Sequence, residues 1–238
     1  MNDLTKHQQD ISSKGYSVIN NVFNDEEIGN ILDAIRHGEN SNPTFRKGAG
    51  LFAIRQFLNE IQVAKEIILK SSLKAIIEAI FGKHYFPVKS IYFDKPEQSN
   101  WFVSWHQDLT ISVNNKAELS GYSNWTVKQN QFAVQPPIEI LKDNFTIRIH
   151  LDETDKYNGA LKVIPGSHHN GIYRHDNIDL VNNKVEICDV RKGGIMIMRP
   201  LLMHASDRTT NNEKRRVIHI EFSRFKLPEG INWSEAIQ

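Results

Sequence analysis

Apolar positions along this chain follow two periods in turn. Behind Asn24-Asp25-Glu26-Glu27, which reads as a helix start with an acidic first turn, Ile28, Ile31, Leu32 and Ile35 recur at helical spacing. A second such stripe runs through Ile67, Ile68, Leu73, Ile76, Ile77, Ile80 and Phe81 and closes at Gly82. Beyond it the pattern shortens to strand-like runs at Phe86 to Phe93, Phe102 to Asp108, Phe145 to Leu151, Ala160 to Ile164, Val185 to Val190, Gly194 to Met198, Leu202 to Ala205 and Arg215 to Phe225. Eight strands after a helical N-terminus predict a mainly β fold. The expectation is a double-stranded β-helix, a cupin-like jelly roll with a ligand in its mouth and the N-terminal helices packed on one sheet.

The segment from Leu109 to Asn144 keeps no steady period. A stretch of this length inside a compact domain predicts a functional lid, anchored by Trp125, Phe132 and the Gln135-Pro136-Pro137 turn. In Phe145 to Leu151 the apolar Phe145, Ile147, Ile149 and Leu151 alternate with Thr146, Arg148 and His150, which turns Arg148 and His150 toward the barrel interior. Arg148 then either holds an anionic substrate or pairs with Asp152, Glu221 or Asp155. Trp125, Gln135, Arg148 and His150 are the expected substrate contacts.

Composition narrows the class. A chain of 238 residues with 39% hydrophobic and 24% charged residues suits one globular domain over 1–238, with the lid at about 109–144. A formal net charge of +1 with dispersed basic residues predicts no nucleic-acid or membrane partner and leaves a small-molecule substrate. The start has no apolar leader pattern, so a cytoplasmic location is expected. The single cysteine, Cys188, excludes an intramolecular disulfide, and its apolar surroundings read as a packed strand position.

Chemistry concentrates at His106-Gln107-Asp108, His204 and Arg215. A histidine and a carboxylate one residue apart on an extended segment face the same way, and a distant histidine can complete the site. Two imidazoles and one carboxylate with open positions are the ligand set of non-haem Fe(II) oxygenases. His-X-Asp also arises by chance, and a lone strand histidine is more often a hydrogen-bonded core residue. Arg215, eleven residues past His204, offers a permanently charged fork for the carboxylate of 2-oxoglutarate. Arg216 is its rival. Strand alternation puts Arg216 on the apolar face with Ile218, Ile220 and Phe222, and Arg215 on the mixed face with Val217, His219 and Glu221.

The stretches FVSWHQDLT, NGALKVIPGSHH and GGIMIMRPLLMHASDRTTNNEKRRVIHIEFSRF, with the opening KGYSVINNVFNDEEIGNIL, resemble the phytanoyl-CoA dioxygenase family of Fe(II)/2-oxoglutarate oxygenases. The resemblance implies Fe(II), 2-oxoglutarate and O2 as cofactor and co-substrates. It makes His106, Asp108 and His204 the iron ligands, Arg215 the partner of the distal 2-oxoglutarate carboxylate, and Ser206 a hydroxyl beside that arginine. Pro165-Gly166-Ser167-His168 is then a turn leaving a barrel strand, and neither His168, His169 nor His175 gains a ligand role. Related halogenating enzymes carry a small residue in place of the carboxylate, so Asp108 points to hydroxylation of an unactivated C–H with release of succinate and CO2. The alternatives are a non-catalytic jelly-roll binder or sensor, and a metal-dependent oxygenase that does not use 2-oxoglutarate.

Overall fold

In a computed structural model of the chain, the described residues are 4–38, 44–48, 51–95, 102–128, 131–173 and 183–236. Helix α1 (Leu4–Lys14) precedes α2 (Asp25–His37), which starts as its sequence predicts. Asn24 accepts the Glu27 backbone N–H and Glu27 answers on the Asn24 N–H, a reciprocal cap that satisfies two donors a helix end otherwise leaves open. The later stripe is not one helix. After a short α3 (Phe57–Glu60), it divides between the end of α4 (Gln62–Ile68) and α5 (Ser71–Phe81), with Lys70 extended between them. Gly82, at φ 88°, ends α5 in a conformation that costs a residue with a side chain more.

Two sheets face each other. The major one has the order β1 (Tyr16–Ile19), β12 (Ile195–Met198), β9 (Phe145–His150), β14 (Arg215–Ser223), β4 (Phe86–Lys95), β3 (Leu51–Arg55) and β2 (Phe45–Gly48). The minor sheet has the order β11 (Glu186–Cys188), β10 (Leu161–Val163), β13 (His204–Ser206) and β5 (Val103–His106). All pairs in both are antiparallel.

The helices cover the outer face of the major sheet. Ile28, Ile31 and Ile35 of α2 and Leu73, Ile77 and Ile80 of α5 share one core with Phe145, Ile147 and Ile149 of β9 and Ile218, Ile220 and Phe222 of β14. Phe81, Phe145 and Phe222 stack, with centroids 3.7 and 5.0 Å apart. Each such fully buried side chain contributes about 1.5–3 kcal/mol. This packing fixes which edge of each strand faces outward, and therefore turns the alternate positions 146, 148, 150, 215, 217, 219 and 221 into the space between the sheets.

The segment from Leu109 to Asn144, which keeps no steady period, forms a third sheet, β6 (Ile111–Val113), β8 (Gln131–Gln135) and β7 (Ser123–Lys128), followed by α6 (Ile138–Asp143). Ile111, Val113 and Val134 are buried against Val88, Leu227, Ile231 and Trp233, so its apolar positions serve contacts distant in sequence rather than a local period. The described residues thus hold more strands than the eight expected; β1, β2, β3, β6, β7 and β8 are short or lean on partners that periodicity does not report. No helix among the described residues is long and apolar enough to cross a membrane.

Candidate metal and co-substrate site

His204 and His106 stand directly opposite each other on β13 and β5. Their rings lie 4.1 Å apart between centroids. Strand β5 ends at His106, two residues short of the expected boundary. Asp108 nevertheless returns to the same side, because its N–H donates to Pro200 O at 2.9 Å and the intervening Gln107 side chain is held away from the site by Leu201 O at 2.6 Å and Gly171 O at 2.8 Å. The Asp108 carboxylate oxygens sit 3.9 Å from Nε2 of His106 and 3.9 Å from Nε2 of His204. One ligand atom from each of the three lies within 4.8 Å of the others.

Each imidazole is already oriented. Nδ1–H of His106 donates to Ser104 O at 2.8 Å, and Nδ1–H of His204 donates to Leu202 O at 2.9 Å. A carbonyl can only accept, so the lone pair of both rings is left on Nε2, facing Asp108. Burial lowers the His204 imidazole to about 4, despite Asp108 nearby. For Asp108 burial acts upward, but His204, His219, Lys89 and His106 outweigh it and hold the carboxyl at about 2. Oδ2 of Asp108 is buried with no hydrogen-bond partner among the described residues. Two Nε2 positions left open by the Nδ1 bonds and an ionised carboxylate with an unmet oxygen are the donor set a divalent metal requires.

The three residues open onto a cavity of about 190 Å³ that is also lined by Phe93, Arg148, Leu161, Ser206, Arg215 and His219. Arg215 is buried, its NH1 donating to Gly159 O. Burial, with Arg148 adding, lowers its guanidinium to about 9. Ser206 Oγ is buried without a partner. Arg216 lies on the other face and is spent on Asp152, through Nε at 2.8 Å and NH2 at 2.6 Å. The alternation argument thus separates the two arginines as expected.

Arg148 lines the cavity and pairs with none of the three carboxylates anticipated for it: Asp152 holds Arg216, Glu221 holds Lys89 at 2.6 Å, and Asp155 accepts the Tyr157 N–H. His150 is buried on the same face but bonds Thr154 at 2.8 Å and does not line the cavity. Trp125 packs on the third sheet's core, and Gln135 accepts from Asn124 at 2.8 Å. No described residue of 109–144 lines this cavity. His168 and His169 lie with tilted rings, 3.9 Å between centroids, in a short 3-10 turn, with His168 on Ser12 O; His175 lies outside the described residues. Cys188 is buried, as expected of a packed strand residue.

Three residues here escaped sequence reasoning. Lys95, fully buried, faces Arg215 across β4 and β14 and donates to Asp207 O at 2.8 Å; burial, with Arg215 adding, lowers it to about 8. Gly159 lies against both cations. His219 accepts from Arg148 on Nδ1 at 3.3 Å and bonds Glu221 through Nε2 at 3.2 Å. The alternation of β14 already pointed His219 inward, whereas no local signal marks Lys95.

A family model for Phytanoyl-CoA dioxygenase (PhyH) matches residues 11–217. A probable alpha-ketoglutarate-dependent hypophosphite dioxygenase from Stutzerimonas stutzeri is 24% identical over 190 residues, covering 74% of this chain; the chain spans 57% of that relative's length. Among solved structures, AviO1 from Streptomyces viridochromogenes is similar with a TM-score of 0.68 at 17% identity, covering 96% of this chain and 98% of that one. HygX from Streptomyces hygroscopicus, solved with nickel, 2-oxoglutarate and hygromycin B, has a TM-score of 0.67 at 14% identity, covering 94% of this chain and 88% of its own. The epimerase SnoN from nogalamycin biosynthesis has a TM-score of 0.67 at 13% identity, covering 92% and 81%.

Proposed function

This chain belongs to the phytanoyl-CoA dioxygenase family, and from that premise we propose that it is a non-haem iron dioxygenase that consumes 2-oxoglutarate and O2 and hydroxylates an unactivated C–H of a small molecule. The observation that carries the reading is the pre-set triad: two Nε2 lone pairs and a partnerless carboxylate oxygen turned to one point. His106, Asp108 and His204 would hold the iron. Arg215 and Ser206 would take the distal carboxylate of 2-oxoglutarate, since both are buried, line the same cavity and lack a carboxylate or hydroxyl partner among the described residues.

Iron so held supplies, with 2-oxoglutarate and O2, an oxidant for a C–H bond, and one oxygen atom goes to substrate and one to succinate as CO2 leaves. The chain's own contribution is electrostatic and steric. Arg215 orients the co-substrate by a charge-assisted fork in a water-poor site, where such bonds count most. Val217, Leu161 and Val103 line the remaining wall and keep it apolar. Neighbouring structures include an epimerase, so the outcome on substrate is not dictated by fold; Asp108 in the carboxylate position supports hydroxylation over halogenation. Arg148 reaches the cavity; Trp125 and Gln135 of the 109–144 segment and His150 of β9 stay proposed as substrate contacts, although none of the three lines it.

The test is anaerobic reconstitution with Fe(II), then 2-oxoglutarate and air. Succinate should form slowly without added substrate, and His204→Ala and Asp108→Ala should each abolish both Fe(II) retention and turnover. Succinate formation in the metal-free protein, or in both variants at the unaltered rate, would sink the reading.

A further inference from the structure

Of the two guanidiniums lining the cavity, Arg215 has a role in the reading above and Arg148 has none. Arg148 is buried, its Nε has no partner among the described residues, and its NH1 meets only Nδ1 of His219. No described carboxylate forms an ion pair with it, because Asp152 and Glu221 are committed to Arg216 and Lys89. Burying a cation without a counter-charge is costly, and the cost persists only where something is gained. It lines the same cavity as His106, Asp108, His204 and Arg215, opposite His219 on the neighbouring strand.

A 2-oxo acid that chelates a metal uses its keto oxygen and one oxygen of the adjoining carboxylate. The second oxygen of that carboxylate, buried, needs a donor. With Arg215 engaged at the far end, Arg148 is the remaining cationic donor among the described cavity-lining residues. We propose that Arg148 binds the carboxylate adjoining the keto group of 2-oxoglutarate, a role that rests on the 2-oxoglutarate reading. Charge accounting agrees. A divalent metal, Asp108, Arg148 and Arg215 leave a surplus of positive charge that a dianion largely cancels.

The experiment is calorimetric titration of Mn(II)-loaded protein with 2-oxoglutarate and with 2-oxobutyrate, which keeps the keto acid end and lacks the distal carboxylate. Arg148→Gln should weaken both ligands by a similar factor, about ten- to a hundredfold for a lost charged hydrogen bond. Arg215→Gln should weaken 2-oxoglutarate and leave 2-oxobutyrate within about twofold. The proposal is overturned if Arg148→Gln leaves 2-oxoglutarate binding unchanged, or weakens 2-oxoglutarate alone, which would put Arg148 at the distal end. Mn(II) stoichiometry by electron paramagnetic resonance and a melting scan report folding, and Arg148→Lys, which keeps the charge, should regain part of the affinity. Failure of wild-type protein to bind 2-oxoglutarate in the presence of Mn(II) would instead sink the functional reading.

Discussion

Replacing Gly159 by alanine would drive a methyl group into the proposed co-substrate clamp. Gly159 sits at φ +84°, and a Cβ there would lie 2.8 Å from Asp207 O, 2.9 Å from Lys95 Nζ and 3.8 Å from Arg215 NH1. Left-handed backbone costs a residue with a side chain about 1–2 kcal/mol. A contact with a backbone carbonyl cannot be relieved by a rotamer change, and overpacking of this kind costs about 1–3 kcal/mol. Together these give about 2–5 kcal/mol, which for a chain of this size corresponds to a fall in Tm of roughly 5–20 °C. The displaced atoms are the Lys95–Asp207 bond and the guanidinium anchored on Gly159 O, so 2-oxoglutarate binding to the Mn(II) protein should also weaken, by about tenfold or more. Gly82→Ala is the control: it has φ +88° but nothing within 4 Å of its Cβ, so it bears the backbone cost alone. Differential scanning calorimetry and titration on both variants decide the matter. Equal Tm losses in the two, with unchanged 2-oxoglutarate affinity in Gly159→Ala, would refute the packing argument.

Arg215→Ala should cost on the order of a hundredfold in 2-oxoglutarate affinity for a lost bidentate charged pair, whereas Arg216→Ala, which breaks a partly solvated pair with Asp152, should cost about 1 kcal/mol of stability and leave that affinity alone; titration showing the reverse order would exchange the two assignments. Glu235, buried and bonded through its carboxylate to the N–H and hydroxyl of Ser90, is pushed up to about 7 by burial. The native state keeps this proton where the unfolded chain has lost it, so stability falls as pH rises from about 4.5 through about 7. Glu235→Gln should flatten that slope by on the order of 3 kcal/mol in denaturant melts at the two ends of the window, and an unaltered slope would show that the carboxyl titrates normally. Burial raises the Cys188 thiol to about 12, so iodoacetamide should leave it unmodified in native protein at pH 8 and label it on unfolding; rapid native labelling, read by mass spectrometry, would contradict this.

Much of the site was legible because it is built from strand alternation, a local rule. That rule separated Arg215 from Arg216, turned Arg148 inward and put His106 and Asp108 on one side, even though the strand stops at His106 and a backbone bond to Pro200 completes the geometry. The capped start of α2 was readable for the same reason, since both capping partners lie three residues apart. What escaped was set by distant contacts. Lys95 matters because β4 and β14 bring it opposite Arg215, and the pattern of β4 alone gives it no distinction. The third sheet was invisible because Val113 and Val134 share their core with Trp233, far along the chain, to which Val113 is also bridged. Arg148 was framed as a choice among three carboxylates and an anionic ligand; only the tertiary arrangement shows all three carboxylates engaged elsewhere.

The two histidines are cross-strand neighbours within the minor sheet, whereas Arg148 and Arg215 belong to the major one. Metal uptake thus asks nothing of the distance between the sheets, but a dicarboxylate that chelates the metal while Arg148 and Arg215 hold its carboxylates must bridge them. Bound co-substrate would act as a tie rod across the sandwich. Amide hydrogen exchange in β9 and β14 should slow when 2-oxoglutarate joins the Mn(II) protein, while β5 and β13 should have slowed already with metal alone.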